Sequence, residues 1–139
     1  MSNLSKFIGL TYKRKGRSFD GVDCYGLVVL IYKDMLNVDL PEFNELYYKK
    51  EEWYDQKGKH IVSNIGSKLL RVEPPYEMYD GLIFYRNMGS IIADHIGVYI
   101  GDNKFIHIEE EKTSEICMLD GTSFGDRIYA ALRFTGEWD

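Results

Sequence analysis

Hydrophobic periodicity is clearest over residues 23–37. Cys24, Leu27, Val28, Ile31 and Met35 recur at i, i+3, i+4, i+7 and i+11, which places them on one helical face. Asp23 stands where an N-cap belongs, and Asn37 supplies a left-handed stop ahead of Pro41. The charged, aromatic stretch from Glu42 to His60 reads as one or two surface helices, and Ile61 to Leu70 as a further short one. Pro74-Pro75 breaks the chain, and the pattern changes to short apolar runs bounded by turns. Leu82 to Tyr85 follows a turn at Asp80-Gly81. The runs His95 to Ile100 and Lys104 to Ile108 flank Gly101-Asp102-Asn103, a hairpin signal. Glu115 to Leu119 and Arg127 to Phe134 add two strands. Helices first and about five strands afterwards predict an α+β fold with an antiparallel sheet.

Composition narrows the class. The 139 residues suit one domain over positions 1–139, with no repeat, linker or low-complexity tract. An aromatic content of 14% argues against disorder. The longest apolar run, Leu27 to Tyr32, falls far short of the ~18 residues of a membrane helix. The amino terminus lacks the basic-then-apolar layout of a secretory signal, so no membrane insertion and no self-directed export are expected. Seventeen Lys and Arg against 22 Asp and Glu give a formal charge of −5, which disfavours sequence-independent nucleic-acid binding. The local run Lys13-Arg14-Lys15-Gly16-Arg17 reads either as a solvated loop or as a docking edge for an anionic partner. Cys24 and Cys117 lie 93 positions apart, neither belongs to a C-x-x-C pair, and there are three histidines. That spacing gives no structural zinc site; a single disulfide remains the lesser alternative.

Three residues assemble into chemistry. Cys24 would sit at a helix start, where unsatisfied N–H groups and the macrodipole stabilise a thiolate. A packed core thiol is the competing reading. Gly26 would keep the helix thin enough for a substrate backbone to approach. With a turn at Gly101-Asp102, His95 and His107 would lie opposite each other across the hairpin, ~4.5–5.5 Å apart at Cβ. Thiol, imidazole and imidazole are the ingredients of nucleophile, base and orienter. His60 has no such partner and reads as a surface residue. Cys117 reads as a buried structural thiol in an apolar strand.

The segment Phe19-Asp20-Gly21-Val22-Asp23-Cys24-Tyr25-Gly26-Leu27-Val28 resembles the nucleophile motif of NlpC-type cysteine peptidases. These are papain-like enzymes of bacteria and their phages that cut peptidoglycan stem peptides. Asp80 to Tyr85 is similar to the family's first core strand. Asp94-His95-Ile96-Gly97-Val98-Tyr99-Ile100-Gly101 with Phe105-Ile106-His107 is similar to its two histidine-bearing strands. The resemblance runs from about Tyr12 to Phe134.

It implies a papain-like fold, with the nucleophile at a helix N-terminus packed on the sheet. Cys24 would be the nucleophile, His95 the general base and His107 the orienting residue. Tyr12 would help hold the oxyanion, with the Cys24 N–H as the other donor. Asp23 would help bind the stem peptide's amino end. Tyr25 replaces the usual serine, which would reshape that subsite and resembles variants in phage-tail and gene-transfer particles. The implied activity is cofactor-free and metal-free hydrolysis of wall peptides, at the γ-D-glutamyl–diamino acid bond, by a tail-borne enzyme whose partners would be tail-tip proteins. A structural tail-tip module, an injected antibacterial effector and an amidase or acyltransferase on other substrates are the alternatives. Residues Glu42 to Tyr54 are the candidate substrate-gating or partner-facing element.

Overall fold

The computed structural model describes residues 4–40, 69–89 and 93–134. A short 3-10 turn, Leu4–Phe7, precedes a two-stranded ribbon of β1 (Arg17–Ser18) and β2 (Gly21–Val22). Helix α1 (Cys24–Ile31) follows directly and widens into a π-turn, Tyr32–Leu36. The remaining strands are β3 (Leu69–Val72), β4 (Gly81–Tyr85), β5 (Ala93–Gly101), β6 (Lys104–His107), β7 (Glu115–Met118) and β8 (Ile128–Phe134). They form one antiparallel sheet in the order β3-β8-β4-β5-β6-β7.

The helix begins and ends where its sequence says. Asp23 is the N-cap, and its carboxylate accepts the Gly26 N–H at 2.7 Å. Asn37 closes the turn in the left-handed region, with φ 56°. Tyr25, Leu27, Val28, Val29 and Ile31 are all buried, so α1 is covered nearly all round rather than along one stripe.

The mixed α+β architecture is the expected one, with six strands in the main sheet instead of about five. The extra strand is β3; of the helix expected over Ile61 to Leu70, residues 61–68 lie outside the described residues, and its last two, Leu69 and Leu70, are strand instead. Antiparallel pairing of Leu70 with Arg133 and Val72 with Ala131 outweighs their local helical pattern. The surface helices expected from Glu42 to His60, His60 itself and the partner-facing stretch lie outside the described residues. Among the described residues no helix is long and apolar enough to cross a membrane.

Both faces of the sheet are covered, which is why Gly81, Leu82, Ile83 and Phe84 are buried in succession. Ile83, Ile96, Val98, Ile106 and Leu132 pack with Leu27, Val28 and Ile31 of α1. Leu82, Phe84, Phe105, Leu119 and Ala131 form a second cluster, closed by Phe124.

Gly26 has a role other than the one its sequence position implied. A Cβ there would lie far inside contact distance of the Gly16 carbonyl oxygen and close to the Arg17 guanidinium. The chain's own ribbon, not a substrate, occupies the space beside α1. Gly26→Ala is therefore expected to destabilise the fold by about 1–3 kcal/mol, the usual cost of forcing atoms into a packed site. Urea unfolding of the variant beside wild type measures it; an unchanged midpoint would contradict this packing.

Candidate active site

Cys24 opens α1 at the rim of a cleft of about 220 Å³ that it shares with Tyr12 and His95. Arg14, Arg86 and Arg127 supply cations to its walls, and Asp94, Glu109 and Glu110 supply carboxylates. Three of the six residues singled out from the sequence thus meet in one cleft, and a fourth, His107, touches His95 from behind. Neither cysteine is in a disulfide, so the alternative of a Cys24–Cys117 bridge does not hold.

His95 is placed by a bulge. Phe84 pairs with His95 and Tyr85 with Ala93, which leaves Asp94 as the extra residue on β5. Bulges bend a strand locally and re-aim its side chains. Arg86 clamps this one, donating from Nε to Asp94 Oδ2 at 2.8 Å. Arg127 Nη1 donates to the Tyr85 and Arg86 carbonyls at 3.2 and 3.0 Å, tying the end of β4 to the start of β8. Neither arginine carries a motif in the sequence, and only the fold brings them to the cleft.

The two histidines meet, but not directly across the hairpin as expected. Val98 pairs with Ile106 and Tyr99 with Phe105, so one further step puts Gly97 across from His107. A Cβ on Gly97 would fall 3.1 Å from the His107 Cβ. His95 is therefore the diagonal neighbour, within reach of a ring though not of a Cβ. The shift arises because Gly101, Asp102 and Asn103 all have positive φ and the register slips between Tyr99 and Gly101.

The rings nonetheless bond, His95 Nε2 to His107 Nδ1 at 2.7 Å. On the far side His107 Nε2 lies 3.3 Å from Cys117 Sγ and 3.7 Å from Glu115 Oε2. Cys117 is half-buried and polar-bonded, not the apolar core thiol expected from its strand. Its pKa is pushed up to about 11 by burial and by the charge and hydrogen bond of Glu115, so its S–H persists at neutral pH. A carboxylate only accepts. Cys117 S–H then donates to Glu115, His107 Nε2–H to Cys117 and His95 Nε2–H to His107. This order leaves the His95 Nδ1 lone pair uncommitted to the chain.

Burial, the adjacent His107 and Arg127 push His95 down to about 3. Burial also lowers His107, against the raising influence of Glu109 and Glu115. Both rings are neutral at pH 7, the form that can accept a proton. Tyr12 is raised by burial and by Cys24 and Asp23, so its hydroxyl keeps its proton and remains a donor.

Asp23 and Tyr25 are placed differently from the resemblance. Each is 1% exposed, and neither lines the cleft. Asp23 accepts the Gly26 N–H and an Arg17 Nη1 proton on one oxygen and the Lys15 N–H, at 3.0 Å, on the other. That carboxylate is engaged by the chain itself, where the resemblance gives it a substrate amine. Tyr25 packs in the core with the Arg17 guanidinium 5.4 Å from its ring centre, so it does not shape the cleft wall. The basic run is likewise only partly a solvated loop. Arg17 is 11% exposed and paired with Asp23, while Arg14 reaches the cleft.

Residues 9–133 match the NlpC/P60 family. The chain belongs to that family. It is 33% identical over 109 residues to the Murein DD-endopeptidase MepH of Escherichia coli, covering 76% of this chain and 34% of that protein. It is 34% identical over 113 residues to the Probable endopeptidase YafL of Escherichia coli, covering 81% of this chain and 38% of that protein. The chain thus spans little more than a third of these relatives. Among solved structures it resembles an NlpC/P60 family protein from Bacillus cereus, with TM-score 0.64, 24% identity, and coverage of 92% of this chain and 36% of that one. It also resembles the NlpC/p60 domain of peptidoglycan hydrolase SagA, with TM-score 0.58, 16% identity, and coverage of 94% and 92%. At these identities the two structures speak for the fold alone.

The imidazoles of this NlpC/P60 chain make its stability depend on pH. Their folded pKa values lie below the unfolded ~6.5, so the unfolded chain binds more protons in acid. Stability is full above pH 6.5 and falls as the pH drops below it, by at most about 1.4 kcal/mol per pH unit for each imidazole. Thermal melts between pH 7.5 and 4.5 should show a shallower fall for His107→Gln than for wild type. Parallel curves would show that the buried pair is not the source.

Proposed function

We propose that the chain is a thiol endopeptidase acting on the peptide part of peptidoglycan. The observation that carries this reading is the convergence of Cys24, Tyr12 and a neutral His95 on one cleft, with His107 bonded to the far nitrogen of His95. His95 Nδ1 takes the Cys24 proton as sulfur attacks the peptide carbonyl. The Tyr12 hydroxyl and the Cys24 N–H serve the developing oxyanion. His95 returns the proton to the leaving amine and then activates the water that frees the acyl group. His107 holds the ring of His95 and fixes its tautomer.

The alternation of arginines and carboxylates around the cleft suits a peptide carrying both charges. Because the Asp23 carboxylate is engaged by the chain, recognition of a free amino end has lost its expected partner. This favours cleavage within the peptide, at the γ-D-glutamyl–diamino acid bond of the resemblance or at a DD bond of the kind named for MepH. Delivery to the wall by a phage or prophage particle rests on the Asp23-Cys24-Tyr25-Gly26 motif alone. Tyr25 is buried, so it adds no support through the substrate site.

Turnover of purified muropeptides, with the products weighed by mass spectrometry, identifies the bond and tests the roles. Cys24→Ala and His95→Ala should each lose on the order of 10⁴-fold or more in kcat/KM. His107→Ala should lose roughly 10²- to 10⁴-fold, since an orienting residue acts through the base. Digestion by Cys24→Ala at the wild-type rate would sink the mechanism.

A further inference from the structure

We infer that His107 Nε2, Cys117 Sγ and the Glu115 carboxylate form a site for a zinc-type divalent ion, and that occupancy of this site switches the cleft off. Among the described residues this is the one group of three potential ligands that converges, with its ligand atoms all within 4.8 Å of one another. The β6–β7 ladder builds it. His107 pairs with Glu115, and Cys117, two residues on, projects from the same face.

The spacing suits a tetrahedral ion. Bonds of ~2.0–2.3 Å to nitrogen, oxygen and sulfur imply edges between ligand atoms of roughly 3.4–3.6 Å. The two edges from His107 Nε2 are 3.3 Å to sulfur and 3.7 Å to oxygen, and the edge between Cys117 and Glu115 lies within 4.8 Å, so rotation of the exposed Glu115 side chain closes the set around an ion. Imidazole with thiolate selects zinc-like ions over magnesium or calcium. Three protein ligands leave a fourth position for water. His107 is fully buried, but the Glu115 side chain is 53% exposed and provides the entry. The other ring nitrogen of His107 already has the outer partner that metal-bound histidines require, His95 Nε2 at 2.7 Å.

That partner couples the site to the cleft. Without metal, His107 carries its proton on Nε2, and His95 donates from Nε2 and keeps a lone pair on Nδ1. A metal ion takes the Nε2 lone pair of His107, so the proton must sit on Nδ1 and point at His95. His95 Nε2 becomes an acceptor, and its remaining proton is on Nδ1, where the base was needed. The protons balance. The pair holds two before and two after, and only the Cys117 thiol releases one to solvent.

The metal-binding arm of the test needs no turnover; the inhibition arm rests on the hydrolase reading above. Zn²⁺ alone is titrated calorimetrically into full-length Cys24→Ala, in which the cleft thiol cannot ligate. One ion should bind per chain, and adding Cys117→Ser or Glu115→Gln to that background should weaken binding at least about tenfold. Co²⁺ in the same background should give a thiolate-to-metal absorption band that Cys117→Ser removes. In the active chain Zn²⁺ should inhibit reversibly, with activity restored by a chelator. Cys117→Ser, compared with its own zinc-free rate, should need at least about tenfold more zinc for equal inhibition. No binding to Cys24→Ala would overturn the site. Inhibition of Cys117→Ser at the wild-type zinc concentration would overturn the switch, because zinc would then act at Cys24.

Discussion

The carboxylate of Asp23 is the anchor on which the reactive end of the molecule depends. It is buried and charged, and one group receives the Gly26 N–H of α1, the Arg17 side chain of β1 and the Lys15 N–H of the preceding turn. Taking such a charge out of water costs several kcal/mol, so its position is tolerable only with these donors in place. The same contacts fix where α1 begins and therefore where the Cys24 sulfur stands. Gly16 and Gly26 belong to this arrangement: the Gly16 carbonyl passes the first turn of α1 too closely for a side chain at Gly26, and the Gly21 carbonyl leaves no room for one at Gly16. Three donors from the chain already use acceptor sites of this carboxylate, so its structural role stands ahead of any ligand.

His95 is fixed by a different device. The Asp94 bulge turns the ring toward the cleft, and the Arg86–Asp94 pair at 2.8 Å keeps the bulge from slipping back into register. Gly97 leaves room beside His107 for the two rings to meet. Phe84, Phe105 and Phe124 pack around the imidazoles, with ring centres 4.7 to 5.8 Å away. These aromatic walls account for the burial that dominates both depressed pKa values. The second hydrophobic cluster thus supports the sheet and keeps the His95 imidazole neutral.

How much of this was legible depends on the range of the interaction. The cap at Asp23, the left-handed Asn37 and the strands from Leu82 onward are local signals, and each forms where the sequence places it. Features that require one strand to be set against another were not readable. β3 exists because β8 pairs with it. The diagonal placement of the histidines follows from three consecutive positive-φ residues, where a shorter turn would have set them face to face. Glu115 and Cys117 look unremarkable in sequence, yet the β6–β7 register brings both to His107. Asp23 shows the converse error. Its place in the motif was correct, while its partner Arg17 sat in a basic run that read as solvated.

The neutral imidazole bears on how the thiol can be activated. In a water-filled cleft a thiolate–imidazolium pair could exist before substrate arrives, but here protonating His95 costs desolvation and repulsion from Arg127. The ion pair is therefore costly at rest. It becomes favourable when the thiolate forms beside the ring, because opposite charges attract strongly where water is excluded. On the proposed mechanism, a bound peptide that shields the cleft would favour this ion pair. His95 serves as base, on the same mechanism, only in the tautomer with its Nδ1 lone pair open. On that mechanism the chain of hydrogen bonds that sets the tautomer ends at Glu115 on the sheet's outer strand, exposed to solvent and linked inward through Cys117 and His107. This exposed end is where, on the proposed mechanism, the His95 proton can be influenced from outside the cleft.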